Sequence, residues 1–215
     1  MIFGIGEQAE MAYYYFTNDS NYRVIAFTVD EKFKEKDSLF DLPIVSFENI
    51  EDTYSNSEYE LFIAIGYNKI NKLRTDKYLE CKNKGYKIAS YISSKASVFT
   101  DNIGENCFIL EDNTIQPFVE IGNNVTLWSG NHIGHHSIIH SNCFITSHVV
   151  ISGGCVIDEF TFIGVNSTLR DHIKVGKSNV IGAGAIILGN TEDNKVYMAT
   201  QTEVSRVPSN RLRGI

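Results

Sequence analysis

Long apolar runs are missing from this 215-residue chain. No stretch approaches the roughly 18 to 20 consecutive apolar residues that span a bilayer, so membrane insertion is not expected. Positive charge is also short, with 19 Lys and Arg against 26 Asp and Glu and a formal net charge of −7. That balance argues against general binding of nucleic acid, which needs clustered basic side chains. The opening residues MIFGIGEQAE lack the basic n-region and the apolar h-region of a secretory signal, which leads us to expect a cytoplasmic protein. Cysteines are few, and the spacings of Cys81, Cys107, Cys143 and Cys155 fit no zinc motif and require no disulfide. With 43% hydrophobic and 21% charged residues, the chain has ample material for an ordinary core.

What the sequence does contain is a strict six-residue ladder. From Ile103 to Ile187 every sixth residue is Ile, Leu or Val, without a gap or an insertion. The residue two places earlier is mostly small, as at Cys107, Val119, Val125, Ser137, Cys143, Val149, Cys155 and Thr161. Gly often follows the aliphatic, as at Gly104, Gly122, Gly134, Gly164, Gly176 and Gly182. An α-helix needs a period of 3.6 and an ordinary strand a period of 2, and neither produces six. The pattern predicts a parallel β-helix, in which three hexapeptides make a triangular coil. Cys107, Cys143 and Cys155 then fall on inward positions as core residues, and Cys81 lies in a helical stretch.

The first hundred residues have no such ladder. MIFGIG followed by EQAEMAYYYF reads as a strand running into a helix, and YRVIAFTVD, IVSF and ELFIAIG as further buried strands. NKINKLRTDKYLECKNKG reads as a helix stopped by Gly85, and KIASYIS as a last strand. Strands alternating with helices predict a small Rossmann-like parallel α/β domain over residues 1–95, followed by the coil domain and a carboxyl-terminal tail over 96–215. The coil pattern is expected to end after Leu188. Gly4-x-Gly6-x-x-Ala9 is a degenerate glycine fingerprint, of the kind that lets backbone approach a pyrophosphate at a helix amino terminus. Asp30, Gly66 and Asn68 end the next strands on the same edge. Gly4, Gly6, Asp30, Gly66 and Asn68 are therefore the candidate nucleotide contacts, although a tight turn without ligand would use similar residues.

Histidine crowds one segment, NHIGHHSIIHSN, which holds His132, His135, His136 and His140. Residues 18 apart stack in a triangular coil, so Gly153 and Gly154 fall one coil from His135 and His136, with Asp171 and His172 beyond them. Two uses compete, metal ligand and general base. The γ-class carbonic anhydrases also use a left-handed β-helix and hold zinc with three histidines, two of them spaced like His135 and His140. The third would fall at position 99, which is Phe99, so no metal site is expected. As a general base, an imidazole can accept a proton from an amine or hydroxyl that attacks a thioester. Backbone N–H groups at the glycine step would face the oxyanion.

The glycine-rich opening, FIAIGYNKINKLR, the hexapeptides and Ile133-Gly134-His135 together resemble the bacterial nucleotide-sugar N-acetyltransferases of the bacillosamine and viosamine type, from residue 1 to about 190. The resemblance implies a left-handed β-helix, a homotrimer, acetyl-CoA as co-substrate without a metal, and a nucleotide-activated amino sugar held by the amino-terminal domain. It implies His135 as general base. Relatives often place Glu or Asp next, whereas here His136 stands as the orienting or assisting group, with Asp171 one alternative. Gly153, Gly154, Gly182 and Ala183 become candidate acetyl-CoA contacts. The implied activity is acetylation of a dTDP- or UDP-linked 4-amino-4,6-dideoxy sugar for O-antigen or surface glycan synthesis. An O-acetyltransferase acting on a sugar or sialic acid keeps the same two-domain plan. A non-catalytic trimeric scaffold is the third reading, and the histidine–glycine step argues against it.

Overall fold

A computed structural model describes residues 1–211. The amino-terminal sheet contains β1 (Ile2–Phe3), β2 (Phe27–Val29), β3 (Ser38–Leu39), β4 (Leu42–Ser46), β5 (Glu60–Ile63) and β6 (Lys87–Ile88). Helix α1 (Glu7–Asn18) follows β1, and α2 (Lys72–Asn83) follows β5. The strand order is β3-β4-β2-β1-β5-β6, parallel throughout except for β3, which runs antiparallel on β4. Its strands are nearly all apolar because elements pack on both faces. Ala9, Ala12 and Phe16 of α1 join Phe27 and Phe62 in one cluster, while Tyr78 and Cys81 of α2 join Phe3, Phe47 and Leu61 in another. The chain winds outward through β2 and β4, then crosses to β5 on the other side of β1. The carboxyl ends of β1 and β5 therefore flank a switch point, where open α/β sheets leave a crevice.

Beyond this sheet the predicted β-helix is present, built from two-residue strands. Its first face stacks Tyr91–Ile92, Phe108–Ile109, Thr126–Leu127, Phe144–Ile145, Phe162–Ile163, Val180–Ile181 and Val196–Tyr197. The second runs from Ser97–Val98 through His132–Ile133 to Ile186–Ile187, and the third from Glu120–Ile121 to Lys174–Val175. Residues 18 apart pair in register, as Ile115 with Ile133 and Ile133 with Ile151. Every ladder residue from Leu127 to Ile181 is fully buried, and so are Cys107, Cys143 and Cys155 on their inward positions.

Two sequence expectations need correction. KIASYIS is not one strand: Lys87–Ile88 closes the α/β sheet, whereas Tyr91–Ile92 is already the first strand of the coil. The coil also continues past Leu188, since Val196–Tyr197 pairs with Val180–Ile181. Both departures come from coil length. Ile92 pairs with Ile109 and Val98 with Ile115, a first coil of 17 residues, and Ile181 pairs with Tyr197, a last coil of 16. A period of six cannot register either one.

The α/β domain docks on the first face of the coil. Tyr67, in the loop after β5, packs on the outward rings of Phe144 and Phe162 at 5.0 and 4.9 Å between centroids. Arg74 of α2 is buried against the coil, where its guanidinium donates to the Thr126 hydroxyl (2.9 Å) and to the carbonyls of Asn124 (3.0 Å) and Cys143 (3.1 Å). Among the described residues no carboxylate pairs with it, and burial brings its pKa down to about 10. Beside it runs a ladder of stacked amides: Asn106 donates to Asn124 and Asn124 to Asn142, while the backbone N–H of Ile63 in β5 donates to Asn106. Side-chain amides that satisfy one another and a strand backbone fix the two units in one geometry.

Candidate active site

Three carboxyl-terminal strand ends bring the candidate nucleotide contacts together. Gly4 belongs to the fold itself: its φ is +120°, and a Cβ there would lie 2.8 Å from the Ala64 carbonyl oxygen across β5. Gly6 differs. It caps the amino terminus of α1, and a Cβ would meet nothing within 4 Å, so the helix end faces open space. Gly66 is nearly as open, with only the Gln8 side chain at 3.8 Å, and Asn68 is exposed. Asp30 is nearly buried, and Lys77 of α2 donates to its Oδ1 at 2.8 Å. Sequence reading missed Lys77, although a cation on the helix that follows the crevice is the signal that would have found it.

The histidine corner lies between the second and third faces, where the chain turns after Ile133. The backbone N–H of His135 donates to Gln116 Oε1 at 2.9 Å, and its carbonyl accepts from Gly154 N–H at 2.8 Å. Its ring lies over Gly153, since a Cβ added at that residue would come 2.7 Å from both Cε1 and Nε2. Nδ1 on the opposite side of the ring is 3.0 Å from Nδ1 of His136. When His135 carries its proton on Nδ1 and donates it to His136, Nε2 presents a free lone pair toward the glycine step. The His136 ring is itself steadied by Phe118, 4.7 Å away between centroids.

Asp171 does not orient His135. Its carboxylate lies 4.0 Å from Nε2 of His172, and the His172 ring covers Gly154, where a Cβ would sit 2.4 Å from Nδ1. The glycine step is thus covered by two imidazoles, one from each neighbouring coil. Gly153 N–H donates to no carbonyl among the described residues. Gly182 and Ala183 sit elsewhere, at the corner between the first and second faces, with Gly182 N–H donating to the Tyr197 carbonyl at 2.7 Å. One chain therefore does not gather the four candidate co-substrate contacts into one place. Nor does it join the crevice to the base. The crevice loops pack on the first face, and His135 occupies the opposite corner of the triangle. Among the described residues, no three His, Cys, Asp or Glu side chains are grouped to hold a metal ion.

The bacterial transferase hexapeptide (six repeats) family model matches residues 102–134 and 119–153. Among curated proteins, the chain is 30% identical over 118 residues to the mitochondrial gamma carbonic anhydrase 1 of Arabidopsis thaliana, covering 47% of this chain and 42% of that protein. It is 26% identical over 129 residues to the bifunctional protein GlmU of Thermosipho melanesiensis, covering 51% of this chain and 29% of that one. The chain thus spans less than half the length of these relatives. Whole-chain likeness appears among solved structures. The acetyltransferase domain of PglB from Neisseria gonorrhoeae superposes with a TM-score of 0.83 at 20% identity over 92% of this chain and 95% of that one. PerB from Caulobacter crescentus, solved with CoA and GDP-perosamine, gives 0.81 at 19% identity over 92% of both chains. WeeI from Acinetobacter baumannii gives 0.73 at 16% identity over 91% and 93%. The chain matches the hexapeptide repeat model over part of its coil and shares the fold of these three structures over nine-tenths of its length.

Proposed function

We propose that this chain is an acetyl-CoA-dependent N-acetyltransferase acting on the amino group of a nucleotide-linked 4-amino-4,6-dideoxy sugar, carried on dTDP or UDP, for surface glycan synthesis. The observation that carries the reading is His135, with Nε2 over the glycine step and Nδ1 engaged by His136. Nε2 takes a proton from the amine as its lone pair attacks the thioester carbonyl. Gly153 N–H faces the oxyanion that results, in the way preorganised backbone donors stabilise charge that develops in a transition state. His136 holds His135 in the tautomer that leaves Nε2 free, the part an acidic neighbour plays in other imidazole bases.

The nucleotide belongs in the crevice, with Gly6 at the helix end and Gly66 and Asn68 across from it, and Asp30 held by Lys77 at its edge. Opposite placement of crevice and base around one coil supports a homotrimer, in which His135 of one copy serves the sugar held by another. It also brings Gly153 and Gly154 of one copy beside Gly182 and Ala183 of the next, so that acetyl-CoA lies between them. The GDP-perosamine and CoA of the PerB structure support this class of acceptor and donor.

Purified protein should release CoA from acetyl-CoA when given a UDP-, dTDP- or GDP-linked amino sugar, and not with the hydroxyl analogue. His135→Ala should lower turnover by about 10²–10⁴, the usual contribution of a general base. A variant that kept a tenth of wild-type turnover would overturn the assignment of the base. Turnover with hydroxyl acceptors alone would overturn the N-acetyl reading.

A further inference from the structure

The glycine step is bounded by more than the base. Gly153 and Gly154 are consecutive, so their Cα atoms are about 3.8 Å apart, and each lies under an imidazole from a different coil. From one side comes Nε2 of His135, with its Nδ1 3.0 Å from His136. From the other comes Nδ1 of His172, with its Nε2 4.0 Å from the Asp171 carboxylate. Backbone hydrogen bonds lock this stack: Gly154 N–H donates to the His135 carbonyl, and His172 N–H to the Gly153 carbonyl, at 2.8 and 2.9 Å. A side chain at either glycine would displace one of the rings. The step is therefore a seat for two opposed imidazoles, each with its outer nitrogen facing a partner and its inner nitrogen facing the notch.

Acyl transfer from a thioester needs two proton movements at one place. The amine must lose a proton, and the departing sulfur gains one. Resting on the N-acetyltransferase reading above, we propose that His172 is a second catalytic residue, the acid that protonates the leaving thiolate. The amine lone pair forms the C–N bond and the carbonyl π pair moves to oxygen, while His135 Nε2 takes the N–H proton. The oxygen pair then re-forms the carbonyl, the C–S bond breaks with its electrons going to sulfur, and His172 Nδ1–H gives its proton to that sulfur. Solvent resets the pair: His135 releases one proton and His172 takes up one, so nothing is consumed. Asp171 is a positioning residue that faces the outer nitrogen. On its own turn His172 has Asp171, which faces its outer nitrogen, and is flanked by Arg170 and Lys174, while His135 and His136 hold the same corner two coils away. The coil on its far side presents Leu188, Gly189 and Asn190, none of which titrates.

His172→Asn is the informative variant, because His172 has φ +54° and Asn tolerates that backbone region. Its side chain is 74% exposed, so the variant should unfold at the wild-type temperature. Turnover should fall at least tenfold. The pH–rate profile should lose its alkaline limb, where the acid would deprotonate, and keep its acidic limb, where His135 becomes protonated. The defect should shrink with an acetyl thioester of a more acidic thiol, whose sulfur needs no proton to leave. Turnover within threefold of wild type with both limbs intact would overturn the role of His172 while leaving the transferase reading standing. Wild-type protein that transfers acetyl to no amino sugar would remove the transferase reading itself.

Discussion

Gly153→Ala separates catalysis from folding more cleanly than removal of the base does. Gly153 does not lie at positive φ, so its backbone accepts alanine. The new methyl would lie 2.7 Å from Cε1 and Nε2 of His135. Carbon atoms in contact settle about 3.5–4.0 Å apart, so the ring must retreat by about 1 Å. That ring is exposed and free to turn, which keeps the cost in stability within about 1 kcal/mol, part of it offset by the stiffer unfolded chain. Catalysis has no such slack, since a misplacement of about 1 Å costs on the order of 10²-fold in rate. Gly134→Ala is the control. There the methyl would lie 2.5 Å from Gly153 N and 2.6 Å from Ser152 C, which are backbone atoms of the next coil and cannot swing aside. That variant should lose about 1–3 kcal/mol. Steady-state CoA release and thermal unfolding, measured together, test the pair. Gly153→Ala with more than a third of wild-type kcat, or with the Tm loss of Gly134→Ala, would refute the reasoning.

Arg74→Met should lose less than Arg74→Ala in urea unfolding, because it keeps the volume, although it too removes the donors to the Thr126 hydroxyl and the Asn124 carbonyl. Arg74→Ala should lose about 3 kcal/mol, since it opens a cavity and leaves the Thr126 hydroxyl and the Asn124 carbonyl unpaired. Asp19 ties the end of α1 to the first coil by accepting from Ser94 N–H (3.0 Å), the Tyr91 hydroxyl (2.6 Å) and the Ser93 hydroxyl (3.1 Å). These bonds, Ser94 foremost, hold its carboxyl well below the usual carboxylate range. Because the folded pKa is the lower one, the stabilisation is fully present above the unfolded value of about 3.9 and fades as pH falls through the folded value. Wild type should therefore be more stable than Asp19→Asn at pH 7, and thermal scans should show that difference closing as the solution is taken well below pH 4.

The coil was legible in the sequence because its core demands one aliphatic per side and a small residue before it. No tertiary accident can hide that demand while each side stays six residues long. Legibility stopped where the side length changed, at the first and last coils. His135 could be placed from register alone, and so could the stacking of Gly153 beneath it. Register does not give ring orientation, however, so it could not show that Asp171 faces His172 rather than His135. Arg74 was visible in a weaker sense. It stands in line with Tyr78 and Cys81 at helical spacing, so a cation occupied the buried stripe of α2. The asparagines at 106, 124 and 142 recur at 18 residues and could have marked the same docking seam.

The unequal terminal coils also bear on self-association. A solenoid of paired strands ends in open backbone edges, and a second copy could add to such an edge as one more coil. Here one end presents a rim 17 residues around and the other a rim 16 around, while the interior repeats at 18. Inside the molecule the short first coil still pairs with its neighbour on every side, Ile92 with Ile109, Val98 with Ile115 and Ile103 with Ile121, so the missing residue is absorbed at the corner between Val98 and Ile103. A second copy added at that end would therefore meet a corner unlike any in the interior, a difference written into the spacing of the chain rather than into any single side chain.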